Sequence, residues 1–229
     1  MYHYVEDKKF LHKSYSFSAD IVNQLVQHLK HFDIETQMSL VGSGNRNMVT
    51  QNGNGPIDFD FNLIIEYAPD IRDCRYIKDT VMLAFNDVLD NKKLPNCKDS
   101  TSVITTREFH FTEGNQTGFS IDICIVYLDE DDNWYRLIHQ KTGNVNFDRY
   151  YWNQGPNTRE VWEREDFLKD NNYWNEVRDT YLKKKNMYLC RHDNWHHSFN
   201  CYIEAINEVY SKVAGGTDKR NINGWYTLW

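Results

Sequence analysis

Two carboxylates stand two residues apart in Ile57-Asp58-Phe59-Asp60-Phe61, an alternating run that turns apolar through Ile65. Residues i and i+2 of a strand share a face, roughly 7 Å apart. Like charges at that spacing repel, and a purely structural role gains nothing from the arrangement. A pair of divalent cations about 3.5–4 Å apart would offset the repulsion. Hard carboxylate oxygens suit Mg²⁺ or Mn²⁺ rather than zinc. Asp122 is the second oddity, set in Ser120-Ile121-Asp122-Ile123 within a run otherwise made of Ile, Cys, Val and Tyr. A charge in a buried strand is costly unless it is paired or coordinated. Backbone N–H groups or Arg107 on the preceding strand would satisfy it. If its strand lies beside Ile57–Ile65, Asp122 instead completes a three-carboxylate cluster. Gly42-Ser43 directly follow the apolar run Met38–Val41. A glycine there lets the backbone approach a phosphate, and N–H groups plus the Ser43 hydroxyl can hold its oxygens. Arg46, in the loop that follows, is close enough in sequence to reach the same phosphates.

Several elements must position these residues. Residues 18–32 predict an amphipathic helix with Ser18 as N-cap, Asp20 near its positive end, and Ile21, Leu25, Leu29 and Phe32 as its apolar stripe. Residues 38–41 and 57–65 predict strands, separated by the turn-rich stretch from Gly44 to Pro56. Ile77, Val81, Ala84, Phe85 and Val88 mark a helix over 73–90. Residues 101–112 and 119–127 read as an antiparallel hairpin with a buried second strand. Helix, strand, strand, helix, strand, strand is an α+β or mixed layer domain. The acidic run Asp129–Asp132 predicts a boundary, which divides the chain into a core at 1–128 and a mainly helical domain at 129–229. Within the latter, 173–189 and 198–213 read as helices, with Gly215-Gly216 stopping the last.

With these motifs in order, the chain resembles the DNA polymerase β-like nucleotidyltransferase superfamily. The resemblance rests on Leu40-Val41-Gly42-Ser43, Ile57-Asp58-Phe59-Asp60-Phe61 and Ser120-Ile121-Asp122-Ile123, and it covers residues 36–127. It implies an α+β fold, a mixed sheet with flanking helices, followed by a small helical domain, with the active site in a cleft between the two. It also implies metal-dependent transfer of a nucleoside monophosphate from an NTP to an acceptor hydroxyl, with pyrophosphate released. Asp58, Asp60 and Asp122 would be the catalytic and metal-binding carboxylates, holding two Mg²⁺ or Mn²⁺ ions. Gly42, Ser43 and Arg46 would bind the nucleotide. The spacer from Ser43 to Asp58 departs from the usual pattern, because Asn-Gly-Asn-Gly-Pro replaces the helical look that commonly follows Gly-Ser.

Composition bounds the partners. The chain has 229 residues and a net charge of −7, with 40% hydrophobic and 15% aromatic residues. That excludes wholesale disorder, and no apolar run approaches the roughly 20 residues that span a membrane. Net acidity disfavours nucleic acid held by bulk electrostatics, though it does not exclude a local basic groove. The length is short for the superfamily's template-independent RNA polymerases and oligonucleotide cyclases. It is similar to that of antibiotic-type adenylyltransferases, which favours a small-molecule acceptor. A protein or RNA acceptor, and a non-catalytic nucleotide-binding or regulatory module, are the alternatives. Five scattered cysteines with no Cys-x-x-Cys pair read as free thiols, and with no secretory signal the expected location is the cytoplasm. Lys183–Lys185 would either touch a triphosphate or form a solvated helix face. Cys190, His192 and His196 have only a superficial zinc-like spacing.

Overall fold

A computed structural model of the chain describes residues 1–156, 158–193 and 197–215. The elements in order are β1 (Tyr2–Tyr4), α1 (Lys8–Leu29), β2 (Glu35–Leu40), α2 (Gly42–Asn45), β3 (Thr50–Asn52), β4 (Ile57–Tyr67), α3 (Cys74–Asn91), β5 (Lys98–Asp99), β6 (Ile104–Thr105), β7 (Phe119–Leu128), β8 (Trp134–Gln140), β9 (Arg149–Gln154), α4 (Arg159–Asp170), α5 (Trp174–Cys190) and α6 (Ser198–Val213). They form the mixed α+β architecture that the motif order predicts.

The chain divides into two compact units. The sheet unit comprises Val5–Val49 and Asn54–Gly155. The helical unit comprises Met1–Tyr4, Thr50–Gly53 and the chain from Pro156 onward. The expected division into 1–128 and 129–229 is therefore corrected: β8 and β9 extend the sheet, and the units part at Gly155/Pro156. Asp129–Asp132 is a tight turn between β7 and β8, in which the Asp129 carboxylate accepts from the backbone N–H groups of Asp131 and Asn133 at 3.0 and 2.8 Å. A charge run of that kind reads equally well as a boundary or as a hairpin tip.

In the sheet unit, seven strands run in the order β2-β4-β7-β6-β5, with β8 paired to the C-terminal end of β7 and β9 paired to β8. β4 and β7 are parallel, and β2, β6 and β8 are antiparallel to their neighbours. Parallel pairing needs a crossover, which α3 begins. One face of the sheet carries Ile57, Phe59, Phe61, Leu63 and Ile65 of β4 with Ile121, Ile123 and Ile125 of β7, all buried. Against it pack Ile21, Val22, Leu25 and Leu29 of α1 and Ile77, Val81, Phe85 and Val88 of α3. Burial of each such side chain contributes roughly 1.5–3 kcal/mol. Phe10, Phe17, Phe109, Phe111 and Phe119 close one end in mainly edge-to-face contacts.

The first helix begins ten residues earlier than the sequence suggests. Asp7, not Ser18, is the N-cap, and its carboxylate accepts from Phe10 N at 2.9 Å. Ser18 is buried in mid-helix and donates its hydroxyl to Ser14 O, while Ser14 donates to Phe10 O. Serines that bond back four residues fit a helix interior as readily as a cap. The first strand of the predicted hairpin shrinks to Ile104–Thr105 and an isolated Phe109–Phe119 bridge. The stretch after Gly42-Ser43 is not all turn: one helical turn spans Gly42–Asn45, and β3 follows.

The helical unit packs α6 against α4 and α5. Lys184 on α5 ion-pairs with Glu204 and Glu208 on α6, at 3.4 and 2.9 Å. The Tyr202 hydroxyl of α6 donates to Glu165 of α4. In the same unit β1 pairs antiparallel with β3, and Asn186 on α5 grips the Tyr2 backbone through both its amide atoms. α6 covers the predicted 198–213; Gly216 and His196 lie outside the described residues. All five cysteines are free. No helix among the described residues is long and apolar enough to cross a membrane.

Behind the sheet lies a buried charged chain that the sequence analysis missed. Lys78 of α3, 1% exposed, ion-pairs with Asp99 of β5 at 3.0 Å. Asp99 also meets His139 Nδ1 of β8 at 2.5 Å and Lys141 at 3.2 Å. His139 Nε2 meets Asp148 at 3.0 Å, and Tyr150 stacks on the His139 ring at 4.1 Å. Burial works against the Asp99 charge, but Lys78 and the hydrogen bonds from Lys78, His139 and Lys141 outweigh it and hold the carboxyl below its usual range. Removing one partner of a buried pair leaves an uncompensated charge. Lys78→Met should therefore destabilise the chain by about 3–5 kcal/mol, and Lys78→Met with Asp99→Leu by less than that single change, as read by urea unfolding.

Candidate active site

β4 sends Asp58 and Asp60 to the face opposite the core, because Ile57, Phe59 and Phe61 are 1%, 3% and 0% exposed on the other side. β7 does the same for Ser120 and Asp122, between buried Phe119, Ile121 and Ile123. The parallel register sets Asp58 opposite Ser120 and Asp60 opposite Asp122. Directly paired residues share a face, so all three carboxylates lie on one side of adjacent strands, as the sequence motifs require.

Their environments differ. Asp58 is exposed, whereas Asp60 and Asp122 are half-buried. Burial raises the Asp122 carboxyl from 3.8 to about 6; a hydrogen bond from the Thr105 side chain opposes the rise, and the Asp58 charge adds to it. Thr105 pairs directly with Asp122 from the other side, on β6. Asp122 Oδ1 has no hydrogen-bond partner among the described residues, so neither Arg107 nor a backbone N–H satisfies that oxygen. A buried carboxylate oxygen without a donor is an open coordination position.

Gly42 joins the phosphate-loop candidates to the carboxylates. Val41 N donates to Asp60 O at 2.9 Å, which holds the end of β2 alongside β4. Gly42 then takes a φ of +63°, the left-handed region that favours glycine. A Cβ at Gly42 would stand 2.4 Å from Asp60 Oδ2, so the carboxylate fills the space a side chain would need. Ser43 enters the helical turn, and its carbonyl accepts from Met48 N at 2.9 Å. Arg46 folds back and donates from Nη1 to Gly42 O at 3.0 Å. The loop thus brings Gly42, Ser43 and a guanidinium together beside Asp60.

The donor set is chemically suited to a hard divalent cation: carboxylate oxygens, one of them buried and unsatisfied, with no thiolate or imidazole among them. Among the described residues, no three His, Cys, Asp or Glu side chains are gathered into a ready-made metal cage. Like-charged carboxylates side by side stand apart until a cation offsets them. The zinc-like Cys190–His196 spacing gathers no such group among the described residues either, and His196 lies outside them. Lys184 and Lys185 are engaged within the helical unit, Lys184 with Glu204 and Glu208, and Lys185 with Thr50 Oγ1 at 2.8 Å. Among the aromatics of 134–174, Trp152 Nε1 donates to Ile71 O at 2.7 Å and Tyr135 stacks on Tyr127, both within the sheet unit. Sequence reasoning overlooked Thr105, whose signal was its β-branched strand context one layer beyond Asp122.

No protein-family model matches the chain, and no curated protein matches it by sequence. Solved structures do match. CdnC of E. coli MS115-1, solved with ATP, is 16% identical with a TM-score of 0.55, over 92% of this chain and 62% of that one. A STING-associated CdnE c-di-GMP synthase from Capnocytophaga granulosa is 15% identical with a TM-score of 0.54, over 87% and 59%. The Vibrio cholerae DncV cyclic AMP-GMP synthase, solved with the linear intermediate pppA(3′,5′)pG, is 11% identical with a TM-score of 0.52, over 85% and 57%. The chain thus spans about three-fifths of the length of these structures. The fold is the nucleotidyltransferase fold, as the motifs predict.

Two outcomes follow from the geometry. Gly42→Ala should destabilise the chain by about 1–2 kcal/mol, since its Cβ meets Asp60 Oδ2 and its φ is left-handed; a thermal melt reads this. The second concerns Asp122. Its folded form holds a proton more tightly than the unfolded chain, so stability falls as pH rises from about 4 to about 6. Asp122→Asn should remove that fall and stabilise the chain at pH 7 in divalent-free buffer by about 1–3 kcal/mol, measured by urea unfolding at pH 4.5 and 7.

Proposed function

We propose that the chain transfers a nucleoside monophosphate from an NTP to an acceptor hydroxyl. The observation that carries this reading is one sheet face holding Asp58, Asp60 and an Asp122 with an unsatisfied buried oxygen, beside a glycine loop whose Cα adjoins Asp60. Asp58, Asp60 and Asp122 are the residues that would hold divalent cations, Mg²⁺ or Mn²⁺. Such ions, when bound, polarise the phosphate oxygens and make an acceptor hydroxyl more acidic.

The chain's own residues supply positioning and charge. Gly42 lets the triphosphate approach the backbone, the Ser43 hydroxyl donates to its oxygens, and Arg46 adds a positive charge beside them. Asp122 orients the acceptor hydroxyl. With its pKa near 6, it is also basic enough to share that proton as the oxygen adds to the α-phosphorus and the bond to pyrophosphate breaks.

The acceptor is proposed as a small molecule, and the first one to test is a second nucleotide. Length alone sets cyclases aside, yet CdnE and DncV are named as synthases of cyclic nucleotides. A nucleotide is a small acceptor with a sugar hydroxyl, which reconciles the two lines of argument.

The test is pyrophosphate release with Mg²⁺ or Mn²⁺ and each NTP in turn. Asp58→Asn with Asp60→Asn should lower release by at least about 10³-fold, while the melting temperature in divalent-free buffer stays the same or rises as repulsion is relieved. A double variant that unfolds, or one that keeps the wild-type rate, would sink the proposal.

A further inference from the structure

The spacer between Ser43 and Asp58 leaves the sheet unit and comes back to it. Its middle, Thr50–Gly53, belongs to the helical unit, whereas Val49 before it and Asn54 after it belong to the sheet unit. Thr50–Asn52 is β3, and it pairs with β1 over three residues. A two-stranded ribbon of that length has little stability of its own.

α5 supplies what the ribbon lacks. Asn186 accepts from Tyr2 N at 2.6 Å and donates to Tyr2 O at 2.9 Å. Lys185 donates to Thr50 Oγ1 at 2.8 Å, and its ammonium stands 4.2 Å from the centroid of the Tyr2 ring. The Tyr4 hydroxyl donates to Arg178 O at 2.7 Å, while the Arg178 guanidinium lies 4.2 Å over the Tyr4 ring. One helix thus grips both strands, along about two of its turns.

The two ends of β3 differ mechanically. Before it, the pairing carries on past Tyr4 and Thr50, because Val5 N donates to Val49 O at 3.1 Å. Met48 and Val49 are buried, and Met48 N donates to Ser43 O at 2.9 Å. Arg46, two residues earlier, donates to Gly42 O at 3.0 Å. Paired backbone therefore leads from β3 to the phosphate-loop candidates. After β3 comes Gly53-Asn54-Gly55-Pro56, with Gly53 at a φ of +56°. Glycines take up dihedral change at small steric cost, so that turn absorbs a displacement before it reaches Asp58. Asp58 is held instead by the register of β4 on β7. A shift of the ribbon is passed to Gly42, Ser43 and Arg46, and is damped on the way to the carboxylates.

We propose that Lys185 and Asn186 are positioning residues for the nucleotide. By gripping the β1–β3 ribbon, they hold the Gly42–Arg46 loop in its binding position, and the grip and nucleotide binding are energetically linked. This rests on the nucleotide-binding role proposed above for that loop. Such linkage is reciprocal: the nucleotide tightens the ribbon as much as the ribbon tightens the nucleotide.

The experiment uses the full chain with Mg²⁺ and α,β-methylene-ATP, which binds without transferring its nucleotide. In the wild-type chain the analogue should slow amide hydrogen exchange at 42–46 and also at 2–4 and 50–52. Thr50→Val and Asn186→Ala introduce no charge and remove the two grips separately. Each should weaken analogue binding at least about fivefold and abolish the slowing at 2–4 and 50–52. With ATP as substrate, each should raise KM by a similar factor and leave kcat within about twofold. Lys185→Met should match Thr50→Val, the double variant should be no worse than either, and Lys185→Arg should restore binding.

The inference is overturned if Thr50→Val and Asn186→Ala lower the melting temperature but leave Kd and KM unchanged, which makes the grip structural only. It is overturned if kcat falls at constant KM, since the ribbon then acts on the carboxylates. It is also overturned if only Lys185→Met weakens binding, because the ammonium then acts on the ligand directly. A wild-type chain in which neither the analogue nor any NTP slows exchange at 42–46 refutes the nucleotide-binding reading itself.

Discussion

Nine consecutive residue pairs, from Ile57–Phe119 to Ile65–Tyr127, zip β4 and β7 together in parallel, and the rest of the sheet unit depends on that register. Strand side chains alternate with a period of two. A slip of one residue would turn Asp122 into the core and Ile121 or Ile123 out of it. The core forbids the slip, because five β4 side chains and four from β7 (Phe119, Ile121, Ile123 and Ile125) are buried on the helix face. Packing on one side therefore enforces the position of carboxylates on the other. The hydrophobic effect supplies the free energy that takes Asp122 partly out of water, and its proton is bound more tightly than usual, with the Asp58 charge adding to the effect.

The same logic operates a second time, with charge in place of apolar packing. β5 is too short to define its own position by backbone pairing, and it lies at the sheet edge. Lys78, Asp99, His139 and Asp148 anchor it from behind. Such a network tolerates loss of a member poorly, since each group satisfies its neighbours. It also draws together α3, β5, β8 and the turn before β9. This explains why β8 and β9 belong to the sheet unit rather than beginning a separate one: without His139, Asp99 would lose one of its side-chain partners.

The parts of the sequence that were legible are those where local pattern and tertiary demand agree. The alternation of 57–61, the lone charge at Asp122 and the stripe of α3 each encode burial directly, and the strands lie as the motifs require. Other parts could not be read. Ser18 resembles a cap but is buried in mid-helix, because a serine satisfies itself equally well by bonding back four residues. Thr50–Asn52 looks like loop, yet it pairs with Tyr2–Tyr4 in the helical unit, a contact about fifty residues apart that no local window contains. The acidic turn at 129–132 passed for a boundary because charge marks exposure, not domain ends. Lys78 did leave a trace, since it falls one turn from Cys74 and three residues before Val81, on the apolar stripe. A lysine in that phase requires a buried partner, but its partner lies twenty-one positions on, and only the fold identifies it.

The net charge of −7 can now be resolved by side. Behind the sheet, Lys78 and Lys141 meet Asp99, and Asp148 meets His139, so burial there comes with compensation. In front, Asp58, Asp60 and Asp122 are placed with Thr105 as the one neutral donor at hand for Asp122. Asp99 is thus met by two lysines behind the sheet, whereas Asp122 in front keeps an oxygen that no described donor satisfies. The difference has a chemical reading. A lysine between Asp60 and Asp122 would stabilise the fold but occupy the space a cation and a phosphate need.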